Sequence, residues 1–241
     1  MKRVMDRVPV LFVQEVCRQL TTKHSSAFKK LRHWGNVSRN LFSGLRKVCC
    51  GFYCTSKTTD VLVKLWDDDK YITLEELSSS PSIEVDHIGV SINSHQNSGN
   101  AFTPSYVAQL LKRCSMQYTS AALKFLTEDP PSTMANYPLL ENFLMNLPRI
   151  HSINFDNWPL VEAVVGRIAE RGTLRELILY SVDPECNAYK DVLRKFSRCE
   201  GLKIFRYWNW RKRKIELSDE EKAHFRMEKE PKAFNFVPIR K

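Results

Sequence analysis

Five short segments of this chain share one apolar frame, apolar-x-x-apolar-x-apolar, and amphipathic stretches at helical spacing separate them. The frame falls on Val85, Ile88 and Val90; on Tyr118, Ala121 and Leu123; on Ile150, Ile153 and Phe155; on Leu174, Leu177 and Leu179; and on Leu202, Phe205 and Tyr207. Successive frames start 33, 32, 24 and 28 residues apart. Residues 106–113, 139–147, 160–171 and 189–196 lie between them and carry apolar side chains three and four apart. Period-two segments build strands with one apolar face, and the intervening helices can cover that face. Helix, break and strand recurring in this order predict an α/β fold, an irregular leucine-rich-repeat-like strand–helix solenoid over residues 81–215. A generic α/β layer is the alternative organisation. Gly172 and Gly201 precede two of the strands, where a helix end favours a residue tolerant of positive φ.

The 241 residues, 43% of them hydrophobic, suffice for a core without disulfides or metals. Only 8 glycines are present and no two lie within five positions of each other, so no glycine-rich dinucleotide loop, phosphate loop or nucleophile elbow can be built. The seven cysteines include Cys49, Cys50 and Cys54 but no C-x-x-C pair, and the six histidines form no H-x-x-x-H pair. They read as free thiols and isolated imidazoles, with no metal set. Asp67 to Asp69 and Glu75-Glu76 sit in polar, turn-like surroundings and read as solvated acids. The expectation is a non-enzymatic protein with no cofactor. No apolar run approaches the length of a membrane span, and unpaired thiols suit a reducing compartment, the cytoplasm or the nucleus.

The net charge of +10 is unevenly placed: residues 1–58 carry +10, residues 59–205 carry −5 and residues 206–241 carry +5. Basic ends attract phosphate-rich partners or acidic protein surfaces, and charge alone does not choose. The run from Arg206 to Lys214 interleaves cations with Tyr207, Trp208 and Trp210. It reads as the closure of the last repeat, as an import signal or protein contact, or as a platform for stacking on nucleic-acid bases.

At the N-terminus, Val8, Phe12, Val13, Val16 and Leu20 predict a helix over about 9–20, with Pro9 in its first turn. Phe28, Leu31 and Trp34 continue helical spacing. Val61, Val63 and Leu65 alternate with Leu62, Lys64 and Trp66, which predicts a strand. Ser218 with Glu221 forms a capping-box pattern that opens a helix through about Lys229, and residues 232–241 show no period. The expected organisation is therefore a helical segment at 1–45, a linking strand region at 46–80, the α/β domain at 81–215, and a C-terminal helix and tail at 216–241.

Residues 8–34 resemble an F-box. Val8-Pro9-Val10-Leu11-Phe12-Val13-Gln14-Glu15-Val16-Cys17-Arg18-Gln19-Leu20 keeps the proline and apolar positions of that motif, and Leu31-Arg32-His33-Trp34 falls near its closing tryptophan. Leu11 stands where an acid is usual, and Lys23 to Ser26 replace the usual Asp-Leu helix start. With a leucine-rich C-terminal half, the chain resembles the nematode-expanded family of F-box and F-box-associated proteins. The resemblance implies a substrate adaptor of a cullin-based ubiquitin ligase, docking on a Skp1-like protein through Val8, Pro9, Phe12, Val16, Leu20 and Trp34. The C-terminal region would hold a protein target. The alternative is that the N-terminal apolar face packs on the protein's own repeats as a cap. In a solenoid, His87, Ser91, Lys124, Asn154, Asp156, Tyr180, Arg206 and Trp208 would line the partner surface, projecting between the apolar positions.

Overall fold

The computed structural model describes residues 8–18, 32–54, 60–68, 70–92, 98–117, 119–127, 134–181, 188–197, 199, 201–209 and 215–239. These form a mixed α/β fold with one open sheet of eleven strands and eight α-helices. Six strands lie side by side and parallel: β1 (Arg46–Cys54), β4 (Ile83–Ile92), β6 (Ala121–Thr127), β7 (Ile150–Phe155), β8 (Glu176–Ser181) and β9 (Ile204–Asn209). Beside β1 lies the antiparallel β2 (Val61–Asp67), whose far edge pairs with β3 (Lys70–Tyr71) and β5 (Asn100–Ala101). Beyond β9 the hairpin of β10 (Phe225–Lys229) and β11 (Ala233–Pro238) completes the sheet.

Because each parallel strand pairs with the next, the connections between them carry helices that cover the sheet. These are α3 (Leu74–Ser79), α4 (Pro104–Met116), α5 (Pro138–Asn146), α6 (Trp158–Glu170) and α7 (Ala188–Phe196), where α1 (Val10–Arg18), α2 (Arg32–Phe42) and α8 (Asp219–His224) lie outside the crossovers. Thr103 and Asn157 cap the N-termini of α4 and α6, and each helix places a proline in its first turn, where the missing N–H costs nothing. Ile88, Leu123, Ile153, Leu177 and Phe205 sit in one register row across the sheet, all buried beneath the helices. Phe52, Phe102 and Phe143 cluster at one end of this core, and Phe205, Phe236 and Tyr189 stack at the other.

The register corrects one of the five frames. Leu123 pairs with Ile88 and Phe125 with Val90, while Ala121 pairs with Ile150 across a register shift, so the second strand buries Ala121, Leu123 and Phe125 where Tyr118, Ala121 and Leu123 were expected. Both frames are locally acceptable, and the ladder decides between them. Tyr118 lies outside the described residues. Gly172 has φ +69°, as a helix end requires, whereas Gly201 is needed for a close approach: a Cβ there would lie 3.0 Å from the Leu174 carbonyl and 3.1 Å from that of Gly172.

The C-terminus departs further from expectation. The capping box of Ser218 and Glu221 is present, but α8 ends at His224, and residues 225–238 form the β10–β11 hairpin in place of a longer helix and an aperiodic tail. Phe234 and Phe236 cover the apolar row exposed at the edge of β9, which a helix at this place could not do while also satisfying the edge backbone. Closure of the last parallel strand thus belongs to this hairpin, and Arg211 to Lys214 lie outside the described residues. Residues 46–80, expected as a linking strand region, supply strands β1, β2 and β3 of the same sheet and the helix α3.

Arginines account for much of the basic charge in the middle of the chain. Arg113 donates to the carbonyls of Ser80 and Ile83 behind α3, Arg149 to Gln117 at the end of α4, Arg171 to Met145 and Leu147 at the end of α5, and Arg175 to Gly172 behind α6. Except for that of Ile83, which opens β4, these carbonyls lie at or just past a helix C-terminus, where intrahelical partners are lacking. Between α4 and β6 the chain is tied by side chains: the Gln117 amide pairs with both the N–H and the carbonyl of Val85, and buried Glu84 accepts from the Thr119 N–H and hydroxyl.

Candidate functional site

Strand residues that alternate with the core rows project from the face without crossover helices. The register defines three rows there. One runs Trp66, Cys49, His87, Ala122, Ser152, Glu176, Ile204. A second runs Lys64, Gly51, Gly89, Lys124, Asn154, Ile178, Arg206 and Asn235. The third includes Leu62, Tyr53, Ser91 and Leu126 toward one end, and Tyr180 and Trp208 toward the other.

All the strand positions expected to meet a partner thus share this face. His87 is exposed and holds the Asp86 carboxylate at 3.0 Å, while Lys47 reaches the same carboxylate at 2.7 Å. The bond to Asp86 raises the His87 imidazole against the opposing pull of burial. Burial alone would raise the Asp86 carboxyl, but hydrogen bonds from His87 and Lys47 outweigh it and lower the group to about 2. Lys124 is exposed beside Gly89, and Asn154 is half-buried next to it. Tyr180 and Trp208 stack with centroids 6.1 Å apart at 23°. Arg206 Nε donates to Asn235 Oδ1 at 3.0 Å. In the described part of the basic-aromatic run, therefore, both rings are stacked on neighbours, Trp208 on Tyr180 and Tyr207 on Tyr189, and the guanidinium is engaged within the fold. Asp156 follows β7 and is half-buried, and its carboxylate accepts from the Thr127 N–H at 2.9 Å and hydroxyl at 3.0 Å, which ties off the end of β6.

Sequence reasoning missed the part of this face that lies on β1 and β2. The Trp66 ring lies across Gly51, where a Cβ would come within 2.8 Å of it, and Lys64 sits 5.6 Å from the Tyr53 ring centroid and 5.7 Å from that of Tyr71. Gly89, by contrast, has open space above it. The alternation of Leu62, Lys64 and Trp66 was legible, but its membership in this face depends on pairing with β1. A separate cleft of about 670 Å³ opens between β2 and the starts of α4 and α5, lined by Leu62, Phe102, Pro104, Tyr137, Pro138 and Leu139.

The N-terminal candidates form a second region. Val13 and Trp34 are buried against each other, with Val8, Val16, Val37 and Leu41 packed around them, in an apolar cluster separate from that of the sheet. Trp34 is 6% exposed, so it is the core of the α1–α2 pair and is not available as a contact residue. Val10, Leu11 and Phe12 are 45%, 78% and 55% exposed. Pro9 is also exposed, Val8 and Val16 are half-buried, and Leu20 lies outside the described residues. Leu11, a departure from the resembled motif, is thus the most open apolar side chain of the helix.

Three of the described thiols are withdrawn from solvent. Cys50, Cys54 and Cys114 are buried, and burial pushes Cys54 and Cys114 up to about 12. Among the described residues, no His, Cys, Asp and Glu cluster could hold a metal ion, and no helix is long and apolar enough to cross a membrane. The fold and surfaces thus define a mixed α/β protein with one sheet face that carries no crossover helices and a separate helix pair. Comparison with protein-family models, curated proteins and solved structures gives no match to the chain.

Proposed function

We propose that this protein is a non-enzymatic interaction adaptor, an irregular leucine-rich solenoid whose N-terminal helix pair docks on a Skp1-like protein of a cullin-based ubiquitin ligase in the cytoplasm or nucleus. The observation that carries this reading is the separation of the α1–α2 cluster from the sheet core, which leaves Val10, Leu11 and Phe12 exposed on one helix. Helices that served as a cap for the repeats would turn this face toward the sheet. An exposed apolar turn on an independent helix pair suits burial against a partner's helices. The solenoid reading rests on six parallel strands paired with their nearest parallel neighbours in chain order. The open face, with Trp66, Tyr53, His87, Lys124, Tyr180 and Trp208, is the surface for a protein target, since aromatic and cationic anchors supply most of the energy at such interfaces.

The test is a binding measurement with purified Skp1. Wild-type protein associates, and Leu11→Asp with Phe12→Asp abolishes association while the fold is retained. Absence of association by the wild type overturns the docking assignment.

A further inference from the structure

The outer edge of the sheet at β10 has a property that the adaptor reading does not use: it is complementary to itself. The hairpin bonds fix which backbone groups face outward. Glu230 N–H donates to the Ala233 carbonyl at 2.8 Å, and Ile239 N–H to that of His224 at 2.8 Å. In an antiparallel ladder, bonded and non-bonded pairs alternate, so Arg226 and Glu228 turn their N–H and carbonyl groups toward β11. Phe225, Met227 and Lys229 turn theirs away. Pro238 lies opposite Phe225, at a pair where β11 needs no N–H for β10, which agrees with this phase. Among the described residues no strand pairs with the outward edge.

We propose that a second copy of this chain docks antiparallel on β10, joining the two sheets across a two-fold axis at Met227. An outward ladder between copies must pair odd-numbered residues with odd-numbered residues. Pairing Phe225 with Met227 of the second copy places Arg226 opposite Arg226, and pairing Met227 with Lys229 places Glu228 opposite Glu228. Both juxtapose like charges at non-hydrogen-bonded positions, where side chains come closest. Pairing Met227 with Met227 places Arg226 opposite Glu228 twice over, once in each direction of the two-fold axis. Both side chains are available, 69% and 48% exposed, and within one copy they already meet each other at 2.6 Å on the same face of the strand. Met227 is 36% exposed, and Arg226, Glu228 and Lys229 are exposed with it, so no other part of the described chain covers this edge. An uncovered edge with a self-matching charge order thus selects one register and one partner.

Sedimentation of the full chain over a concentration series tests the assignment. The wild type is expected at twice the monomer mass at the upper end of the series. Met227→Pro removes an outward N–H and no hairpin bond, and is expected to be monomeric throughout. Arg226→Glu creates two repulsive pairs and weakens the dimer about tenfold, and Arg226→Glu with Glu228→Arg restores it. An unchanged thermal midpoint in Arg226→Glu separates dissociation from unfolding. A wild type that stays monomeric, or a dimer indifferent to both Met227→Pro and Arg226→Glu, overturns the proposal. Neither outcome bears on Skp1 association, which depends on the other end of the chain.

Discussion

Phe12 meets Trp34 edge-on, with ring centroids 6.3 Å apart at 78°, and only one of the two is buried. The tryptophan fills the space between α1 and α2, and the phenylalanine covers it while keeping more than half of its own surface open. A helix pair this small has no second layer, so its outer apolar residues remain available to a partner.

Substitutions in this pair should therefore separate folding from docking. Trp34→Ala is expected to remove about 3–5 kcal/mol of packing from the α1–α2 cluster. Because that cluster is distinct from the sheet core, hydrogen exchange should show lost protection in residues 10–18 and unchanged protection in the parallel strands. Leu11→Asp, at an exposed position, should stay within about 0.5 kcal/mol of wild type in denaturant titration.

Arg171 carries two carbonyls of the preceding helix end, those of Met145 and Leu147. Arg171→Ala leaves both without the guanidinium and should cost about 2–3 kcal/mol in a chemical denaturation curve. Arg171→Lys should recover only part of this, since an ammonium cannot reproduce the planar fork.

Asp86 supplies a pH dependence of defined sign. Its carboxyl is lowered in the folded protein from 3.8 to about 2, so the contribution is complete above the unfolded value and is lost as pH falls through the folded one. Wild type should lose about 1 kcal/mol more than Asp86→Asn between about pH 5 and about pH 2, a figure discounted for partial exposure. Thermal midpoints across that range provide the comparison, and equal slopes would remove Asp86 from the account.

Two glycines should respond in opposite directions. Gly166 lies inside α6 with Lys195 Cε as its nearest neighbour at 3.7 Å, so Gly166→Ala should stabilise by about 0.5–1 kcal/mol. Gly201→Ala drives a methyl against the carbonyls of Leu174 and Gly172, at 3.0 Å and 3.1 Å, and should destabilise by about 1–2 kcal/mol. Melting curves of the two variants should bracket that of the wild type.

What could be read from the chain was what depends on neighbours in sequence. Leu174, Leu177 and Leu179 announce a buried strand because burial of alternate side chains is a local consequence of extended backbone, and each is fully buried. Ser218 and Glu221 announce a helix start because both partners of the capping box lie within one turn. The face of each partner residue follows from the same alternation, which puts His87, Lys124, Tyr180 and Trp208 on one side of the sheet.

What only the tertiary structure decided was what depends on pairing between distant segments. Ala121 and Leu123 fit the apolar frame as well as Leu123 and Phe125 do, and the ladder of Leu123 between Ile88 and Ile153 chose the second. Phe225 to Lys229 could prolong a helix, yet they form a strand because β11, seated on the open edge of β9, offers unpaired backbone on its other side. Trp34 could have been contact or core, and the position of α1 over it made it core. Local sequence sets period and capping through torsions and nearest neighbours; register, edge closure and the exposure of Leu11 are set by hydrogen bonds and packing between residues far apart in the chain.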